Sequence, residues 1–243
     1  MEKMFGMDRY DRNARLHPAL LTLLPAFLFV FVWFPEVWTR CGAIAAFVVA
    51  SGVLYALTRL VRRLGHGVER KLGERVGRLH TARLLSLADG RLSASMKARC
   101  RAYIETKSGV QLPSKEQEKS DPRSADDERL VAVKWLLDYT RPKAAATLLL
   151  DENISYGFAR NLLGLKPFGL AISGLVCAGS VWFLAGTPSG STMFILGSVL
   201  FGASLLAFVL WLLLVTEISV ERASQLYAER ILSLCLENPD ADR

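Results

Sequence analysis

Four stretches of this chain carry no charged side chain: Ala19 to Phe34, Cys41 to Leu57, Phe168 to Gly186 and Thr192 to Val215. With modest flanks each reaches the roughly 17 to 25 residues that cross a hydrocarbon core about 30 Å thick. Four such blocks, one pair near each end, do not fit inside one soluble core. The first is not followed by a small-residue cleavage pattern before the second begins, which argues against a secretory leader. The fold class expected is an all-α integral membrane protein: two transmembrane helical hairpins, four spans in all, with a helical cytoplasmic insert.

Cations set the expected orientation. The connectors PEVWTR and TPSGS hold one arginine between them, whereas the run after the second block, RLVRRLGHGVERKLGERVGRLH, is dense in Arg and Lys, and Lys3, Arg9, Arg12 and Arg15 precede the first. The positive-inside rule therefore places both termini and the central segment in the cytoplasm, with the two short hairpin turns outside. The net charge of +7 mostly expresses this bias. Trp33 and Trp38 suit the outer headgroup layer. Cys41, Cys100, Cys177 and Cys235 form no CxxC pair, and a reducing compartment argues against disulfides.

The expected organisation is a cytoplasmic N-terminus (1–17), hairpin one (18–61), a helical cytoplasmic region (62–151), an interfacial elbow (152–167), hairpin two (168–216) and a cytoplasmic C-terminal helix (217–243). In the helical region Val61, Leu64, Val68, Leu72, Val76 and Leu79 recur at helical spacing, extending the second span into a basic stalk. A flexible loop is expected near 107–124, where charge and two prolines replace periodicity. The next helix is expected from Ser124 as N-cap, with Asp126, Asp127 and Glu128 at the positive end of its dipole and Val131, Trp135 and Leu136 on one face. Ile218, Leu226, Ile231 and Leu234 are the expected apolar positions of the last helix. Strand-like alternation is missing from the central segment.

Reactive constellations are sparse. His17, His66 and His80 are isolated, and neither HExxH nor a GxxxxGK[ST] loop occurs, so no enzyme, cofactor or metal is expected. No charged residue lies inside the apolar blocks, where ion-coupled carriers place one. Small residues four apart (Gly42, Ala46 and Ala50; Gly174 and Ala178; Ser198 and Gly202) permit close helix approach, within the chain or between copies. Glu217 and Glu221 follow the fourth span, where a homo-oligomer would repeat them as an acidic pore mouth. Arg70, Lys71, Arg75 and Arg78 on the stalk are candidate contacts for a polyanion such as a nucleotide or oligonucleotide.

The segment ENISYGFARNLLGLKPFG, Glu152 to Gly169, is the expected coupling elbow. Tyr156 and Phe158 suit the headgroup layer, Arg160 and Lys166 reach lipid phosphates, Gly157 and Gly164 allow turns, Asn153 and Asn161 satisfy backbone groups at bends, and Pro167 starts the third span. This run resembles a motif in bacterial proteins with two membrane hairpins and a cytoplasmic insert. The layout is similar to membrane effectors of anti-phage systems, including the Hailong type. That resemblance implies an oligomeric channel that damages the host cell during infection, controlled by a nucleic-acid signal from a nucleotidyltransferase partner. It carries over no ligand-contact residue, and Ala159 stands where the pattern expects another cation. Three functions follow as expectations: a channel or pore-forming effector gated through its cytoplasmic region; a non-enzymatic adaptor in the lipid bilayer that docks a cytoplasmic partner; and a lipid-directed enzyme using a residue such as Asp151 or Glu152.

Overall fold

The computed structural model describes residues 8–76, 80–140 and 148–235. Among these every regular element is helical. The order is α1 (Arg9–Asp11), a π-turn (Arg12–Leu16), α2 (His17–Trp33), a 3-10 turn (Pro35–Trp38), α3 (Arg40–Val76), α4 (His80–Leu84), α5 (Ala94–Ser108), α6 (Lys115–Ser120), α7 (Pro122–Thr140), α8 (Leu148–Ala185), α9 (Thr192–Leu213) and α10 (Glu217–Ser233). Four helical stretches are long and apolar enough to cross a membrane: Arg9–Trp33, Ile44–Gly73, Leu148–Ala185 and Thr192–Leu213. The chain divides into two units, one of Met1–Val68 with Gly157–Ser219 and one of Glu69–Tyr156 with Val220–Arg243.

The membrane unit is built from α2, the first part of α3, most of α8, and α9. Ala19, Val61, Leu165, Trp211 and Val215 form one buried cluster, and Trp33, Val176 and Leu200 another. Glycines let the helices touch. Gly169 lies against the Trp211 indole, Gly179 against Phe29, and Gly197 against Trp33 and Leu184; a Cβ at any of the three would overlap these side chains. Of the expected small residues, Gly174 lies against Phe208, whereas Ser198 and Gly202 are exposed within the chain, and a Cβ on Gly202 would meet nothing. Trp33 is 8% exposed and stacks on Phe183 at 4.9 Å, so it is a packing residue rather than a headgroup anchor. The Trp38 side chain is outside the described set.

The expected elbow is helical throughout. Residues 152–167 lie wholly within α8, and Pro167 is inside that helix rather than at its start. A proline in a helix interior forfeits one hydrogen bond to residue i−4 and crowds its carbonyl. Here the helix nevertheless continues, with buried packing on both sides of the proline: Leu165 is fully buried and Gly169 is held against Trp211.

The second unit has a core of its own. Ala82, Leu84, Leu85, Cys100, Ile104, Leu112, Ala132, Val133, Leu136, Leu149, Ala228, Ile231, Leu232 and Cys235 are buried together, drawn from α4, α5, α7, the start of α8 and α10. The C-terminal helix is thus part of this core. Its inward face carries Val220, Ala228, Ile231 and Leu232, while Ile218 and Leu226 are exposed, so half of the expected apolar positions point outward. On α7, Val131 is likewise exposed while Leu136 is buried. The segment near 107–124 holds α6 and the first turn of α7. α6 is closed by a capping box between Ser114 and Gln117, and Leu112 and Pro113 are buried. α7 is capped by Asp121, whose carboxylate accepts from the Ser124 amide at 3.1 Å, and not by Ser124.

Candidate functional site

Two polar constellations stand out from the helical packing, one in each unit. In the second unit α5 presents Lys97 and Arg101, four residues apart and so on one face. Both are buried, at 4% and 9% exposure. They hold the connection between α4 and α5 by its carbonyl groups. Lys97 Nζ donates to the Ser86 carbonyl at 2.5 Å and to that of Asp89. Arg101 donates to Leu85 at 3.0 Å and Pro113 at 2.5 Å. From the other side Glu118 of α6 accepts the Ser86 hydroxyl at 2.8 Å and the Leu87 amide at 3.0 Å. Arg129 of α7 pairs with Glu118 at 2.7 Å and with Asp126, so Asp126 serves an ion pair as well as the helix dipole.

Electrostatics follow from that burial. Lys97 and Arg101 are both held below their ordinary pKa values, chiefly because burial disfavours their charged forms. Asp89 is held below the usual carboxylate range by its hydrogen bond from Arg91, at 2.6 Å from Arg91 Nη2. A cavity of about 590 Å³ opens here, lined by Asp89, Ser93, Lys97, Arg101 and Glu105 among others. A second of about 310 Å³, lined by Lys115, Glu118, Asp126 and Arg129, borders the Ser86 side. An anionic group entering the first cavity would compete with the Ser86 and Asp89 carbonyls for Lys97. Sequence reading missed this site, because Lys97, Arg101 and Arg129 look like ordinary solvated helix charges. Among the described residues no group of three or more His, Cys, Asp or Glu side chains is placed to hold a metal.

The second constellation lies in the membrane unit and contains much of the Glu152–Gly169 segment. Gly157, Asn161 and Gly164 are spaced by four and three, which puts them on one face of α8. Asn161 is fully buried, and its Nδ2 donates to the Ala14 carbonyl at 2.6 Å. Four residues after Ala14 comes Pro18, which has no N–H to give that carbonyl. The asparagine gives that carbonyl a donor from another helix. Its Oδ1 lies where a Cβ on Gly65 would stand, and Gly164 packs on the Leu64 backbone, so α3 and α8 cross at bare backbone. Gly157 faces Tyr10 and Ala14. Lys166 Nζ donates to the carbonyls of Leu212 at 3.0 Å and Val215 at 2.8 Å, capping the end of α9 where those oxygens lack amide partners.

The other expected residues are spread apart. Arg160 is buried, not extended to lipid. Asn153 and Phe158 are half-buried on α8. Tyr156 belongs to the second unit, where it stacks on Tyr227 at 6.1 Å and donates to Glu69 at 3.2 Å. Glu217 is exposed. Glu221 is half-buried and acts electrostatically on His80, whose Nδ1 lies 2.9 Å from Ser224 Oγ. Burial, helped by Arg91, lowers the His80 pKa against the pull of Glu221. Arg70 and Lys71 are exposed on α3; the Arg75 side chain and all of Arg78 lie outside the described residues.

Fold and composition together define a multi-pass membrane protein with four apolar helices and a separately cored helical unit. Comparison of the chain with protein-family models, with curated proteins and with solved structures yields no match. The resemblance drawn from Glu152–Gly169 therefore rests on that segment and the layout alone.

Proposed function

We propose that the chain is an oligomeric channel or pore-forming effector of the bacterial inner membrane, built from two transmembrane hairpins and gated through its second unit. Both termini and the second unit face the cytoplasm in this reading, and the signal is a nucleotide or oligonucleotide of the kind a nucleotidyltransferase partner would make. The observation that carries it is the continuity of α8. This helix begins at Leu148, buries Leu149 in the core of the second unit and continues to Ala185. In this reading a rearrangement of that core, such as a phosphate taking Lys97 from the Ser86 and Asp89 carbonyls, is passed along α8. Assembly of copies is supported by α3, whose spanning window is only 11% buried within its own chain, against 33% for the first span.

Planar-bilayer conductance of the full chain tests the proposal, wild type beside a Glu217→Gln, Glu221→Gln double variant. Discrete currents whose cation preference falls in the variant are expected. A protein that inserts but never conducts, with or without short oligonucleotides, refutes the channel. The second reading is a non-enzymatic adaptor, favoured by Val131, Leu148 and Leu226, apolar residues of the second unit that are each more than half exposed. Crosslinking to a stoichiometric cytoplasmic partner without ion flux would support it.

A further inference from the structure

The exposed face of α3 just beyond its apolar stretch has a chemistry that neither the channel nor the cavity at Lys97 uses. Arg59, Arg62, Arg63 and His66 follow one another at spacings of three, one and three. At 3.6 residues per turn they fall within a face about 100° wide. All four are exposed. The opposite face carries Leu57, Val61, Leu64 and Gly65, which pack into the membrane unit. The helix is therefore committed on one side and cationic on the other.

Other cations near the span ends have internal work. Lys166 caps α9, Arg160 is buried, and Arg15 pairs with Asp11. Among the described residues no carboxylate pairs with Arg59, Arg62 or Arg63. Arg59 instead lies over the Tyr55 ring, 5.2 Å from its centroid, and donates to the Tyr55 hydroxyl at 2.9 Å. That tyrosine is 62% exposed and on the same face, a residue type suited to the membrane–water boundary.

Depth agrees with charge. From Arg40 to Arg59, with no charged residue between them, α3 rises about 28 Å, close to the roughly 30 Å of a hydrocarbon core. From Arg59 to His66 it rises about 10 Å, enough to cross one headgroup layer of roughly 5 to 7 Å and reach just past it. We propose that the Tyr55–Arg59–Arg62–Arg63–His66 face of α3 is a docking surface for the phosphate groups of anionic phospholipids.

The test uses the full chain in nanodiscs of phosphatidylglycerol and phosphatidylcholine at equal bulk fractions, with retained lipids counted by native mass spectrometry. Wild type should hold phosphatidylglycerol at least fivefold over its bulk ratio, and more salt should reduce the enrichment. The triple variant Arg59→Gln, Arg62→Gln, Arg63→Gln should fall to the bulk ratio. Arg59→Lys, Arg62→Lys, Arg63→Lys and the distant Arg123→Gln should keep the enrichment. Enrichment that survives the glutamine variant with helicity intact, or that ignores salt in the wild type, overturns the proposal. So does a glutamine variant that keeps its lipid preference yet loses binding of a labelled oligothymidylate, which would assign the face to nucleic acid.

Discussion

Asn161→Ala removes the donor that reaches Ala14, and its cost can be traced to one carbonyl. The Nδ2 to Ala14 hydrogen bond is 2.6 Å long and fully buried. A typical net hydrogen bond contributes about 1 kcal/mol, and stranding a buried acceptor costs about 1 to 3 kcal/mol. Interhelical hydrogen bonds in membranes average nearer 0.6 kcal/mol. A loss of about 1 to 2 kcal/mol is expected. Pro18 bears on this cost, because it withholds the i+4 amide from the Ala14 carbonyl at the junction of the π-turn and α2. Pro18→Ala restores an amide four residues on, so Asn161→Ala should cost less in that background. A double-mutant cycle, read as unfolding free energy in mixed micelles, should show a coupling of roughly 0.5 to 1.5 kcal/mol. The small cavity left by the alanine is common to both backgrounds and cancels. Additivity within about 0.3 kcal/mol would refute the link between proline and asparagine.

Other expectations rest on separate features. Gly65→Val should destabilise by about 1 to 3 kcal/mol, since its side chain would enter the Asn161 carboxamide, whereas Gly202→Ala should be near neutral; thermal unfolding distinguishes them. Glu118→Gln should cost about 3 to 5 kcal/mol and loosen the α4–α5 connection, because Arg129 and Arg101 lose their buried counter-charge; hydrogen exchange at Leu87 reads it directly. The lowered His80 pKa means the unfolded chain takes up a proton first as pH falls. Its contribution is thus complete above about pH 6.5 and lost as pH drops from there towards the folded value, a dependence that His80→Gln should flatten in melting curves. Cys100 and Cys235 are buried, and Cys100 Sγ and the Cys235 amide both donate to the Leu232 carbonyl. Both should resist maleimide until the second unit unfolds, and labelling in the native state would contradict this packing.

What could be read from the sequence was whatever depended on composition over many residues. The four spans follow from uncharged runs, and helicity follows from periodicity. The segment Glu152–Gly169 was misread as an elbow because Gly157, Gly164 and Pro167 are turn residues by local preference. Their roles are set by distant partners: Gly157 by Tyr10 and Ala14, Gly164 by Leu64, and Asn161 by a carbonyl that Pro18 leaves without its usual donor. The signal available was the common face of Gly157, Asn161 and Gly164. Lys97, Arg101 and Arg129 were invisible for a different reason, since their partners are mostly carbonyls of a connection with no periodicity. The two cysteines of α5 and the end of α10, 135 positions apart, meet only through the shared core.

In the proposed mechanism a signal received by the second unit reaches the membrane through α8. That route is tested most directly by ion flux from vesicles holding the full chain, challenged with short oligonucleotides, with and without two glycines inserted between Gly157 and Phe158. Oligonucleotide-evoked flux is expected in the intact chain and should be lost in the insertion variant, with membrane insertion and oligomer size unchanged. Flux that is equal in both proteins would contradict coupling through α8.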